Sequence, residues 1–391
     1  MQYIERLIIA FLILVSFSCH SDQSYENEQE AKDYFIEWDN SSIVCIAEEG
    51  GYPRLIRLDD GSLLIIYENR RGDVVLKTSS DEGASWSDEV MSYEAFDYND
   101  LNTGETTRVN IANPEIIQLT NGDILLAVNL RPRIEGIYPY SIALKRSEDN
   151  GTTWSDATVL FKAATWFKDG CWEPSFLLLP DETVHIYFAN EFPYQQSDEQ
   201  EISVITSSDN GYTWDSEPKT VSFRQGHRDG MPVTVYDEET IYMVIEDNVS
   251  GQFKPWIVRD KISNEWKNYV SGTSLERYPA LKQNLADTVY AGAPYMIKTK
   301  SDLYLISYQT TENRTSNWEK STMEVAISDK PYDFRNVSRP FDVPLHKEAK
   351  WNSLADLGNN YVAALSSTNF NSDKIGVWLI KGEIYSSQSI Q

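Results

Sequence analysis

The chain has 391 residues, of which 60 are acidic and 34 basic, giving a formal net charge of −26. That field repels phosphate backbones and anionic membrane surfaces, which argues against a nucleic-acid partner and tilts the expected ligand towards a neutral molecule. Aromatic residues make up 12%, with 11 Trp and 23 Tyr, a content that suits strand-heavy packing or sugar-stacking surfaces.

The chain begins "MQYIERLIIAFLILVSFSCHSDQ", with Arg6 ahead of an apolar run from Leu7 to Phe17 and small residues around Cys19. The run is too short to span a bilayer and reads as an export signal. Its "SFSC" end resembles a bacterial lipoprotein signal, which implies that residues 1–19 are a signal peptide and that Cys19 becomes the lipid-bearing residue. Residues 20–36, opening with the acidic "SDQSYENEQE", read as a flexible tether. The implied location is the outer surface or periplasm of a bacterial cell, with membrane contact through the lipid alone and a monomeric body. Cys45 and Cys171 remain; a bridge between them is open on sequence grounds, and two buried free thiols are the preferred expectation.

From residue 37 a period of about sixty residues governs the chain. It shows in "GYPRL" at 51–55, "ANPEI" at 112–116, "WEPSF" at 172–176, "GMPVT" at 230–234 and "GAPYM" at 292–296, with the proline-free "WNSL" at 351–354 as a sixth member. Each is followed by an apolar run, a tight turn and a second apolar run, as in "PRLIRLDDGSLLIIYEN", then by a third and a fourth strand. Four antiparallel strands repeated six times predict an all-β, six-bladed β-propeller over residues 37–391, because a lone four-stranded sheet leaves its faces bare and radial stacking covers them. The segment "YFIEWDNSSIVCIAEE" precedes the first repeat and is expected to supply the outermost strand of the last blade, closing the ring.

Between the third and fourth strands stand "SSDEGASW" at 79–86, "SEDNGTTW" at 147–154 and "SSDNGYTW" at 207–214, with worn versions at 258–266 and 327–334. These resemble the Asp-box of sialidases and related propellers. The Ser and Asp side chains take up turn donors, the Gly permits a left-handed φ and the Trp packs beneath, so the expected role is a structural staple. A hairpin places the start of strand one and the end of strand two at the opposite face from these turns, and the functional site is expected there.

The polar residues at those positions include the substrate-binding candidates Arg54, Asn113, Trp172, Asn190, His227, Arg228, Asp229, Tyr295, Gln309 and Trp351. Cleavage of a glycosidic bond needs two facing carboxyl groups, and Glu173 in "CWEPSF" with Glu246 in "MVIEDN" are the expected catalytic pair. Glu173, between Trp172 and Pro174, reads as the more desolvated and is assigned acid and base, with Glu246 as nucleophile; the reverse stays open. The four His residues show no metal-ligand spacing, and neither a metal nor another cofactor is expected.

The succession "GGYPRLIRLDDGSLLIIYE", "WEPSF", "HRDGMPV" and "VIEDN" resembles glycoside hydrolase family 93, the exo-α-1,5-L-arabinanases, over nearly all of residues 45–385. The resemblance implies a retaining exo-acting enzyme that releases short arabinose units, typically arabinobiose, from arabinan. Family 33 sialidases resemble the chain in turns and blade count, but begin F/Y-R-I-P where this chain has "YPRL". They also need a Tyr nucleophile and three arginines, for which Arg54, Arg131, Arg228 and Arg277 are the available set. A third reading is a surface lipoprotein that binds glycans without turning them over.

Overall fold

The computed structural model describes residues 33–387. The expected signal peptide, Cys19 and residues 20–32 of the expected tether lie outside that range. The described chain is all-β apart from four single 3-10 turns, and its strands form six sheets arranged as the six blades of a propeller.

The innermost strands are Gly50–Arg57, Thr106–Gln118, Cys171–Leu178, Asp229–Asp237, Ala291–Lys298 and Ala349–Gly358, and they define blades 1 to 6. The segment ahead of the first repeat forms Tyr34–Ala47 and pairs with the C-terminal strand Gly376–Ser386 as the outer edge of blade 6. The ring is thus closed by both ends of the described chain. This strand begins inside the segment assigned to the tether, with Tyr34 opposite Ser386.

Two blades carry a fifth strand that the sixty-residue period does not announce. Phe96–Asn99 pairs with the start of the inner strand of blade 2, and Val270–Ser271 leaves blade 4 to lie parallel to Lys219–Phe223 on blade 3. The second addition, together with a parallel bridge from Gln200 to Arg228, stitches blades 3 and 4 together.

Second strands are buried on both faces because each blade is covered by its two neighbours, which explains their unbroken apolar runs. Leu63 to Tyr67 are all at most 1% exposed, and Val184–Asn190 and Tyr304–Thr310 are buried throughout. Burial of a side chain of this size contributes about 1.5–3 kcal/mol, so the inter-blade layers dominate the stability of the ring. His185 belongs to this layer, its Nδ1 2.8 Å from the Tyr187 hydroxyl, and burial pushes its pKa down to about 4. Of the two thiols, both free, Cys171 is buried as expected; Cys45 is exposed, because its strand is the outer edge of blade 6 and has a neighbour on one side only.

The three repeated turns fold as staples. In each, the Ser hydroxyl accepts the N–H of the Gly four residues on, at 2.8 Å, and the Asp carboxylate accepts the N–H of the residue four positions after it, as in Asp149 with Thr153 at 2.8 Å. Gly83, Gly151 and Gly211 have φ between 77° and 85°, the left-handed region, and the Trp ring of each turn lies against its Gly. Ser79, Ser147 and Ser207 pair with Leu63, Ile124 and Val184, the beginnings of second strands. Glu68 and Glu246, at the other ends, pair with Gly51 and Gly230. The turns and the glutamates are therefore on opposite faces.

Candidate active site

Every inner strand slips register at the same residue of its repeat, and that of blade 6 slips a second time between Asp356 and Gly358. Tyr52, Asn113, Glu173, Met231, Ala293 and Trp351 have φ between 47° and 58°, the left-handed region, although none is Gly. Five precede a proline, whose ring bars them from the right-handed helical region. A non-Gly residue held left-handed costs on the order of 1–2 kcal/mol, so the surrounding structure must impose it.

What imposes it is a clasp at each seam between blades. The Asn113 N–H is accepted by Glu68 at 2.7 Å, that of Met231 by Glu173 at 3.1 Å, and that of Ala293 by Glu246 at 2.7 Å. The Trp351 N–H is accepted by Gln309 at 2.9 Å and that of Tyr52 by the Ser367 hydroxyl at 2.8 Å. At the seam between blades 2 and 3, Asn129 donates instead to the Cys171 carbonyl at 2.7 Å. The clasping residues come from the ends of second strands except in blade 3, where that position is Ala189 and Glu173 reaches over from the inner strand itself. The side chains of Tyr52, Met231, Ala293 and Trp351 pack on one another, so the ring of slipped residues converges at the axis.

Glu173 and Glu246 line one cleft of about 330 Å³, with Asn248, Gly251, Gln252, Phe253, Tyr290, Trp318 and Trp351. Larger hollows of about 480 and 790 Å³ lie along the axis beyond Glu115 and on the outside beside Glu312. Neither brings together two carboxyl groups of raised proton affinity. In the cleft, burial raises the pKa of both Glu173 and Glu246, and the charge of Glu173 raises that of Glu246 further. Against this, the Met231 N–H and the guanidiniums of Arg131 and Arg228 favour ionised Glu173, while the Ala293 N–H and Arg228 favour ionised Glu246. Two carboxyls coupled this way titrate as a pair and hold a proton at a pH where isolated ones have lost theirs. Glu246 is also fenced by glycines: a Cβ on Gly230 would lie 3.1 Å from its Oε1, and one on Gly292 2.6 Å from its Oε2.

Of the ten substrate-binding candidates, Trp351 lines this cleft. Arg228 stands next to it, electrostatically felt by both glutamates, and is ion-paired with Glu191 and donates to Gln200 Oε1 at 2.6 Å. Asn113 and Gln309 are ring and clasp residues, Gln309 being fully buried. Arg54 is 3% exposed, ion-paired with Glu115 at 2.7 Å and stacked over Tyr52 and Tyr295, which places Arg54 and Tyr295 in the axial channel behind the ring. Asp229 is completely buried and shares Arg277 with Asp247. Asn190 is buried against Ser203 and the Phe192 N–H. Trp172 is 5% exposed among Tyr140, Phe167 and Arg131. His227 is half-buried in the loop that leads to Arg228. Arg54, Asp229, Asn190 and Trp172 therefore support the site from within, each buried and engaged by the partners just named.

Six wall residues were not among the expected ones: Asn248, Gly251, Gln252, Phe253, Tyr290 and Trp318. Five belong to loops, and Trp318, 45% exposed, to a short 3-10 turn. Their only sequence signal is position, since each follows a strand-two end or precedes an inner strand.

Two glutamates of raised proton affinity thus line one cleft of a six-bladed propeller. No family model and no curated sequence matches the chain. Solved structures do match in fold. An α-L-arabinofuranosidase from Fusarium graminearum in complex with arabinobiose is 14% identical, with TM-score 0.62, over 90% of this chain and 97% of its own. An α-L-arabinanase from Penicillium chrysogenum complexed with arabinobiose is 16% identical, with TM-score 0.61, over 90% and 98%. A sialidase from Streptococcus pneumoniae is 12% identical, with TM-score 0.60, over 88% and 70%. The fold is thus one that arabinan-cleaving enzymes and sialidases share.

Proposed function

We propose that this protein is an exo-acting, retaining glycoside hydrolase that cleaves α-L-arabinofuranosyl linkages of an arabinan-type polysaccharide, held at the bacterial surface by lipid on Cys19. The observation that carries the reading is that Glu173 and Glu246, from adjacent blades, both line one cleft.

In this mechanism Glu246 bears the proton and gives it to the glycosidic oxygen as the bond to the anomeric carbon breaks. Ionised Glu173 attacks that carbon, forming a glycosyl ester and releasing the shortened chain. Glu246 then takes a proton from water, whose oxygen displaces Glu173 and frees the sugar. These roles reverse the expectation from the local sequence. Burial raises both carboxyls, and each accepts an N–H and feels Arg228; Glu173 has Arg131 in addition, set against the charge of Glu191, whereas Glu246 meets the charge of Glu173 itself.

An uncharged sugar fits the walls, where aromatic Phe253, Tyr290, Trp318 and Trp351 offer ring faces and Asn248 and Gln252 offer neutral hydrogen bonds. A sialic acid needs a set of three free guanidiniums for its carboxylate; Arg54, Arg228 and Arg277 are already paired with Glu115, Glu191, and Asp229 and Asp247, which leaves of the four available arginines only Arg131, stacked over Trp172. The test is incubation with debranched arabinan, sialyllactose and other furanosides, with products identified and the anomer formed first read by NMR. Release of an arabinose oligomer with retained configuration supports the proposal; release of sialic acid, or of nothing, refutes it.

A further inference from the structure

Tyr290 stands at the entrance to the inner strand of blade 5, with its hydrogen-bonding direction decided by its neighbours. The Trp351 N–H occupies Gln309 Oε1 at 2.9 Å, which fixes the amide so that its Nε2 donates to the Tyr290 hydroxyl oxygen at 2.8 Å. The phenol oxygen is therefore an acceptor from Gln309, and its own proton is left for another partner. Across from it is Glu246. A Cβ built on Gly292 would lie 2.5 Å from the Tyr290 hydroxyl oxygen and 2.6 Å from Glu246 Oε2, so the bare glycine is what lets phenol and carboxyl face each other. The Tyr290 ring is held by Phe253 and Trp318, and its backbone by Thr311.

We propose that Tyr290 is a positioning residue for Glu246: its phenol proton, which no described residue accepts in the structure, turns to Oε2 across Gly292 and makes there a hydrogen bond that the resting side chains do not yet form. Oε2, which also accepts the Ala293 N–H at 2.7 Å, is then the anchored oxygen, and Oε1 is the one that exchanges a proton with the sugar. The role of Oε1 rests on the glycosidase reading; the Tyr290 hydrogen bond does not. The other charged groups facing Glu246 are Glu173 from blade 3 and Arg228 from the loop before the inner strand of blade 4. Asp247, next in sequence, turns away to Arg277 and Arg224.

A hydrogen bond to the ionised form lowers a carboxyl's pKa, so its loss raises it. In the full chain labelled with carbon-13 at the Glu carboxyls, with Glu246→Gln identifying the resonance, Tyr290→Phe is expected to move the Glu246 midpoint up by about half a pH unit or more. The basic limb of kcat/KM should move with it. Gly292→Ala, which wedges the two groups apart, should raise the midpoint in the same direction and add nothing in the double variant. A midpoint unchanged or lowered in Tyr290→Phe, or shifts that simply add in the double variant, overturns the proposal. Shifts of the expected kind in a protein that hydrolyses no sugar uphold this contact and remove the glycosidase reading instead.

Discussion

Glu173 accepts the backbone N–H of Met231 at 3.1 Å, and so closes the seam between blades 3 and 4 from an inner strand, where the five other seams are closed from the end of a second strand. The usual position in its own blade is Ala189, too small to reach. One carboxyl thus serves both as a clasp and as a wall of the cleft, and the two duties separate on substitution.

Glu173→Gln keeps an oxygen for the Met231 N–H and should fold with an unchanged melting temperature, whereas Glu173→Leu should melt lower. Both should lose turnover by about 10²–10⁴-fold, the contribution of a positioned acid, base or nucleophile. Calorimetry and steady-state rates on the two variants check this.

Stability should fall as pH rises from the ordinary glutamate pKa of 4.5 through neutrality. The folded carboxyls have raised pKa values, so in that window the native state binds more protons than the unfolded one, and raising the pH favours unfolding. Denaturant titrations at several pH values should show this slope in the wild type and a shallower one in Glu246→Gln, whose remaining Glu173 is relieved of its like-charged neighbour.

Ser207→Ala removes the acceptor of the Gly211 N–H and should lower stability by about 1 kcal/mol, with kcat and KM unchanged. The staple lies on the face away from the cleft, so a loss of turnover at full folding would contradict its purely structural role.

Arg277→Leu takes the counter-ion from Asp229 and leaves Asp247 with Arg224 alone, both acids being fully buried, and should cost about 3–5 kcal/mol. Denaturant unfolding measures it, and a neutral result would contradict the role of Arg277 as the counter-charge of this buried cluster.

Trp318→Ala should raise KM more than it lowers kcat, by a factor matching about 0.5–1.5 kcal/mol of lost ring contact. Equal losses in kcat would place Trp318 in the reacting centre instead.

The blade count and the ring closure were legible because a period of sixty survives in the Pro motifs and because Tyr34–Ala47 had no blade of its own. The pair Glu173 and Glu246 was legible by its place in the repeat, but so was Glu68, which holds the same clasp position as Glu246 and is absent from the cleft wall. Strand position names the candidates; the seam geometry chooses among them. Arg54 misled because it stands just past the register slip and is taken up by Glu115, and Asp229 because Arg277 holds it in a buried ion pair. Tyr290 and Trp318 carried no pattern at all, being loop residues placed by their contacts.

The most direct measurement is the product released from debranched arabinan by the wild type and by Glu246→Gln, read beside the affinity of each for the same oligosaccharide. The account predicts an arabinose oligomer from the wild type and almost none from the variant, with binding kept in both. Equal affinity in both with no product from either would make the protein a glycan binder and contradict the catalytic claim.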